Sequence, residues 1–232
     1  MADVRKNQRD LSKAEWTRLI DAINATHGMG IPAPRYRDFV RVHVEAMNPM
    51  SAEGMSWGVH TMGPGMVGRN FLAWHRRFIR ELELRLQVAK PGVTLPYWDW
   101  EADRKIPAPL TPARLLHNWG VTRHWDASLL PTPHDLAAVM AQTTFRPFQR
   151  RLENIHGYVH EAVGGTMGGA SSPADPLFFL HHANIDRIWS QWERSHRRAV
   201  PPNGSETLKP KPILGVSVKS VLRIRDLGYS YA

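Results

Sequence analysis

The chain has 232 residues, 42% of them hydrophobic, enough for one domain with a substantial core. It has no cysteine, which excludes disulfides, zinc–thiolate sites and iron–sulfur clusters. The net charge of +9 comes from scattered arginines with no aromatic RNA-binding signature, which disfavours nucleic acid as a partner; no window is apolar enough to span a membrane, and "MADVRKNQRDLSKAEW" has no apolar segment of a cleavable signal.

Helical patterns then dominate, and the fold class they indicate is mainly α with minor β. Ser12 and Glu15 in "LSKAEW" form a capping box, with Leu11 and Trp16 as the flanking staple. Trp16, Leu19, Ile20 and Ile23 continue at helical spacing to Gly28. A second helix is predicted from about Arg35 to Met47, with His43 on its apolar stripe. A third runs from about Asn70 to Ala89. Its stripe is Phe71, His75, Phe78, Ile79, Leu82 and Leu86, and Arg76, Arg77, Arg80 and Glu81 are expected to face out.

Between the third helix and the next lies a proline-rich stretch, "WDWEADRKIPAPLTPARLLHNWG" to "LLPTPHD", which reads as ordered loop with short turns. A fourth helix is predicted over 145–163. Phe148, Leu152, Ile155 and Val159 form its stripe, with His156 and His160 at the edge. A fifth starts near Pro176, a good first-turn residue, and runs to about Arg197 with Phe178, His182, Ile185, Trp189 and Trp192 on one face. The segment "ILGVSVKSVLRI" reads as strand-like.

Twelve histidines are an excess that needs a reason. One histidine on an apolar stripe is ordinarily a satisfied core residue. Here four helices turn histidine toward a common core, and several buried imidazoles leave many ring nitrogens in need of partners. A shared metal satisfies them together. Imidazole suits zinc, copper, iron and nickel. "HGYVH" has Gly157 where a zinc protease has its general-base glutamate. A di-iron bundle would use "ENIH" (Glu153, His156) and "ERSH" (Glu193, His196), but leaves His43, His75, His160 and His182 unexplained. An all-imidazole set favours copper. His27, His117, His124, His134 and His196 have no motif support.

"NFLAWHRRF" (70–78), "LPYWDW" (95–100), "IHGYVH" (155–160) and "DPLFFLHHANIDRIW" (175–189) resemble the tyrosinase family of type-3 dicopper proteins. "VRKNQRDLS" (4–12) resembles the start of its bacterial members, and "YSY" (229–231) resembles the motif that closes its core domain. The resemblance implies a four-helix bundle around a dicopper centre, with long loops, in a single domain over 1–232 that lacks the lid domain of larger relatives. It implies His43, His60 and His75 on the first copper, with the loop between His60 and His75 enlarged relative to many members. It implies His156, His160 and His182 on the second copper, with His181 next to the ligand or facing substrate.

The implied cofactors are two copper ions, with O2 as co-substrate. The implied reaction is oxidation of o-diphenols to o-quinones, with ortho-hydroxylation of monophenols as a further activity. In the family, hydroxylation is associated with a glutamate and an asparagine that hold a water. Glu153 is the candidate for the first, whereas Gly157 replaces the asparagine, so hydroxylation is expected to be reduced. Glu161 and Gly168 are expected to border the substrate, Glu161 attracting cationic phenols. Asn184 and Asp186 are candidates for hydrogen bonds behind the ligands that fix their tautomers, and Arg5 for pairing with the closing tyrosines. An o-aminophenol oxidase and a dicopper O2 carrier use the same centre. The expected partners are a small phenolic substrate and a copper-delivery or export helper protein, with no nucleic acid or membrane. The compartment stays open between cytoplasm and helper-assisted export.

Overall fold

The computed structural model describes residues 3–28, 30–48, 50–61 and 68–232. The first helix, α1 (Lys13–His27), begins as its sequence predicts. The Glu15 amide donates to Ser12 Oγ at 3.2 Å, and the Ser12 amide donates to Glu15 Oε2 at 2.8 Å. Each side chain thereby satisfies a backbone donor that a helix start would otherwise leave open. There follow α2 (Tyr36–Ala46), the short α3 (Ala52–Trp57), α4 (Phe71–Ala89), α5 (Ala113–Trp119), α6 (Pro133–Met140), α7 (Phe145–Val163) and α8 (Leu177–Ser195).

The bundle is built on α4, which packs against α8, α1, α2 and α7. Phe71, Trp74, Phe78, Ile79, Leu82 and Leu86 are all buried, and so are Arg76, Arg80 and Glu81. The expectation that these three charged residues face out is therefore corrected; of that set only Arg77 is partly exposed. Glu81 pairs with Arg77 one turn before it, whereas Arg76 and Arg80 also find partners distant in sequence. The Arg76 guanidinium lies 3.4 Å over the Trp189 ring and pairs with Asp186 and Glu193. Arg80 bonds Asp3 and Glu83, both at 2.8 Å. A buried charge persists where hydrogen-bonded counter-charges replace its water.

The chain ends meet beside this network. Strand β1 (Asp3–Arg5) pairs in parallel with β2 (Tyr229–Tyr231), Arg5 opposite Tyr231. Arg5 is fully buried, bonds both Glu83 oxygens at 3.1 and 2.7 Å, and donates to the Tyr231 hydroxyl at 3.0 Å. Arg5 thus meets the closing tyrosines as expected.

Two further expectations give way. The proline-rich stretch contains α5 and α6 rather than turns alone, and α6 starts with its own capping box, Thr132 with Asp135. The strand-like segment is instead two short 3-10 turns, Val218–Val221 and Ile224–Leu227, with one isolated bridge, Thr207 to Ser217. Its β-branched composition suggested a strand, but Leu214, Val218 and Val221 fall at spacings of four and three, and all three are buried. Packing on the core overrides local propensity here. The loop after His60 falls partly, at 62–67, outside the described residues.

Candidate metal centre

His43 lies on the inner face of α2, His75 on α4, His156 and His160 on α7, and His181 and His182 on α8; His60 comes from the loop after α3. The bundle folds them into two groups. One nitrogen from each of His43, His60 and His75 lies within 4.8 Å of the others, and so does one from each of His156, His160, His181 and His182. The groups adjoin: the His75 and His182 rings stack 4.2 Å apart at 17°, and Phe178 stacks on His182 at 4.0 Å.

Backbone carbonyls orient the rings. Nδ1 of His43 bonds the Ala170 carbonyl at 2.7 Å, His75 the Phe71 carbonyl at 2.9 Å, His160 the Met167 carbonyl at 2.7 Å, and His156 the Glu153 carbonyl at 3.2 Å. A carbonyl can only accept, so each Nδ1 carries the proton and each Nε2 presents a lone pair. The Nε2 atoms of His43, His60, His75 and His156 are buried and have no hydrogen-bond partner among the described residues. The Nε2 atoms of His160 and His182 face each other at 3.5 Å. Burial pushes His43 down to about 3 and His160 to about 4, and holds His60, His75, His156, His181 and His182 well below the usual histidine range. These are neutral imidazoles, the form that binds metal. Buried Nε2 atoms on both sides of the centre that lack a partner among the described residues leave a cation as the partner that would satisfy them, so the donor set fits a pair of metal ions. Neither group contains a carboxylate, which speaks against di-iron ligation. Of the rival pair, Glu193 is instead bound to Arg76, and His196 stacks on Trp192 at 4.5 Å.

The local sequence explains the acceptors. Gly164 and Gly165 both have positive φ, and a Cβ on Gly165 would come within 2.3 Å of the Thr122 carbonyl. The turn they make ends α7 and folds Met167 back onto His160. Arg123 grips both Asp175 oxygens at 2.7 Å and so fixes the start of α8. These carbonyls have no side-chain signature, and sequence reasoning missed them. It also missed Phe178 as a ring-stacking partner, although Phe178 sits on the predicted stripe.

The remaining sequence-predicted residues lie around the centre. Glu153 is half-buried, and its oxygens accept from the Thr61 amide at 2.6 Å and the Thr61 hydroxyl at 2.9 Å. Burial pushes its carboxyl up to about 7 despite these bonds. A Cβ on Gly157 or on Gly168 would meet no described residue within 4 Å. Glu161 is exposed, whereas His181 is fully buried, stacked on His156 at 5.2 Å. Asn184 accepts from Arg187 at 3.0 Å. Asp186, one turn beyond His182, accepts from Arg76, from Arg5 at 3.4 Å, and from the Tyr229 and Tyr231 hydroxyls, both at 2.6 Å.

The family description "Common central domain of tyrosinase" matches residues 33–128 and 114–195, so the match spans both histidine groups. The chain belongs to the tyrosinase family. Its tyrosinase-family core is of the bacterial, type-3 dicopper kind: the tyrosinase of Streptomyces lincolnensis is 32% identical over 262 residues, covering 89% of this chain and 92% of that protein. Among solved structures, a functional unit of octopus hemocyanin superposes with a TM-score of 0.81 at 24% identity, covering 99% of this chain and 68% of that one. A tyrosinase from Burkholderia thailandensis superposes at 0.74 with 18% identity, covering 100% and 74%. At these identities the superpositions speak to the fold, a tyrosinase-type bundle with its two histidine groups. Tyrosinase-family membership supports copper-based oxidation or oxygen binding in general. No helix among the described residues is long and apolar enough to cross a membrane.

Proposed function

We propose that the chain is a copper-dependent phenol oxidase that uses O2 to oxidise o-diphenols to o-quinones. The observation that carries the proposal is the set of imidazoles with Nδ1 tied to carbonyls and Nε2 turned into a shared buried space. His43, His60 and His75 would hold one copper ion, and His156, His160 and His182 the other, within one domain. Such a pair supplies two-electron chemistry: two diphenols and one O2 become two quinones and two waters. The protein's own contribution is rigidity and dryness. Carbonyl-anchored rings need no reorganisation, and the bundle excludes bulk water from the imidazoles.

Glu153, Glu161, Gly168 and His181 border the space in which a phenol would lie. Glu153 is the group able to take a phenolic proton. Gly157 offers no side-chain amide to help it hold a water, so ortho-hydroxylation of monophenols is the weaker activity. An O2 carrier is the second reading, favoured by the superposition on a hemocyanin unit. Copper-loaded protein in air discriminates between the two. The oxidase predicts sustained quinone formation from catechol, with tyrosine slower and o-aminophenol as the third substrate to compare. Reversible oxygen uptake without turnover overturns the proposal in favour of the carrier.

A further inference from the structure

Every histidine of the two groups sits inside a helix except His60, which follows α3 in a loop. His43 and His75 are each held by a carbonyl on Nδ1, but no such acceptor meets the His60 ring among the described residues. Its aim must therefore come from the backbone on either side. On the leading side Asn70 fixes the chain. Its side-chain amide donates to the Trp57 carbonyl at 2.8 Å, and its backbone amide to the Gly58 carbonyl at 2.9 Å. On the trailing side the fixture is Glu153, which reaches across from α7.

Glu153 Oε1 accepts from the Thr61 amide at 2.6 Å, and Oε2 accepts from the Thr61 hydroxyl at 2.9 Å. The Thr61 hydroxyl in turn accepts from the Gly68 amide at 3.0 Å. The Gly68 carbonyl accepts at 2.9 Å from the buried side chain of Gln149, one turn before Glu153 on α7. The missing side chain of Gly68 leaves room for this contact: a Cβ there would lie 2.9 Å from Glu153 Oε1, from the Thr61 nitrogen and from the His60 carbonyl carbon. Two side chains of α7 thus grip the residue after His60 and residue 68 together. The main chain of Glu153 also serves the second group, since its carbonyl orients His156. A charged acceptor taking two bonds from one residue is a strong, directional anchor.

We propose that Glu153 is a positioning residue for the first copper site: through Thr61 its carboxylate holds His60 turned toward His43 and His75, and so governs how fast that site gives up its ion. The His60 ring lies 5.3 Å from that of His43 and 5.0 Å from that of His75. A helix-borne ligand keeps its direction when a neighbour is changed, whereas a loop ligand freed at one flank swings away. Groups that orient metal ligands commonly change metal affinity by about 10- to 100-fold. The proposal rests on the reading of His60 as a ligand of the first copper, and it is separable from proton transfer by Glu153. Glutamine at 153 keeps an oxygen for the Thr61 amide and offers an N–H to the second lone pair of the Thr61 hydroxyl, but it is no base.

The test is copper release from the full, copper-loaded and reduced chain to a chromophoric cuprous chelator, followed by absorbance. Two backgrounds separate the sites: His182→Ala keeps the first group intact, and His60→Ala keeps the second. In the first background Glu153→Ala should speed release about tenfold or more. Thr61→Val should speed it less, because the amide bond survives, and Glu153→Gln should stay near the parent rate. In the second background all three should match their parent, since the Glu153 carbonyl is untouched. Unchanged release from Glu153→Ala and Thr61→Val in the first background overturns the proposal. So does an equal acceleration in both backgrounds, which would mean general loosening. Glu153→Gln releasing copper as fast as Glu153→Ala overturns it in favour of a purely electrostatic effect. A His60→Ala chain that still loads two ions fails differently: it removes His60 as a ligand, and with it the reading underneath.

Discussion

Asp186→Asn tests the buried charge network that joins the two ligand-bearing helices. Asp186 sits four residues beyond His182 on α8, and Arg76 sits next to His75 on α4, so their ion pair ties the turns that carry one histidine of each group. The side chain is 3% exposed, so solvent screens it little. Removing one partner of a buried pair costs about 3–5 kcal/mol, because the other charge stays behind without its counter-charge. Arg5 retains Glu83 and Arg76 retains Glu193, which points to the lower end. At about 2–4 °C per kcal/mol for a chain of this length, the melting temperature should fall by about 6–12 °C.

The pH dependence gives a second readout. Burial acts to raise the Asp186 carboxyl, but Arg76 and Arg5, with the tyrosine hydroxyls, outweigh it and hold it below the ordinary carboxylate value. A depressed folded value means that the pairing stabilises the fold above the unfolded value, near 4, and that this contribution is lost as pH falls through the folded one. Thermal melts of the metal-free protein from pH 7 down should therefore show wild type and variant converging below about pH 4. A drop of less than about 2 °C at pH 7, or a gap that stays constant with pH, would refute the reasoning.

Other perturbations separate stability from the metal centre. Ser12→Ala removes the α1 cap and should cost about 1 kcal/mol while leaving copper content unchanged, read by thermal melt and metal analysis. Histidine-to-alanine exchange at His75 should leave one copper ion per chain in the second group, and retention of both ions would contradict the first-site assignment. Gly157→Asn places its Cβ more than 4 Å from any described neighbour and should raise the tyrosine-to-catechol rate ratio; an unchanged ratio removes the water-holding argument.

The sequence made some of this legible because the controlling interactions are local. The capping box of α1 spans four residues, and α7 shows its period over its whole length before the glycine pair stops it. The histidines were legible through repeated placement on apolar stripes together with the motifs around them. What was not legible depends on contacts far apart in the chain. Arg76 looks like a surface residue until Asp186, 110 positions away, packs beside it. The carbonyls that set the imidazole tautomers leave no mark in the amino-acid pattern.

The central claim is that two groups of imidazoles hold two adjacent copper ions. Metal analysis of the purified, reconstituted chain, combined with electron paramagnetic resonance of the oxidised sample, tests it most directly. The account predicts two copper ions per chain with little paramagnetic signal, because neighbouring Cu(II) ions pair their spins. Fewer than two ions, or two ions giving the full signal of isolated Cu(II), would contradict it.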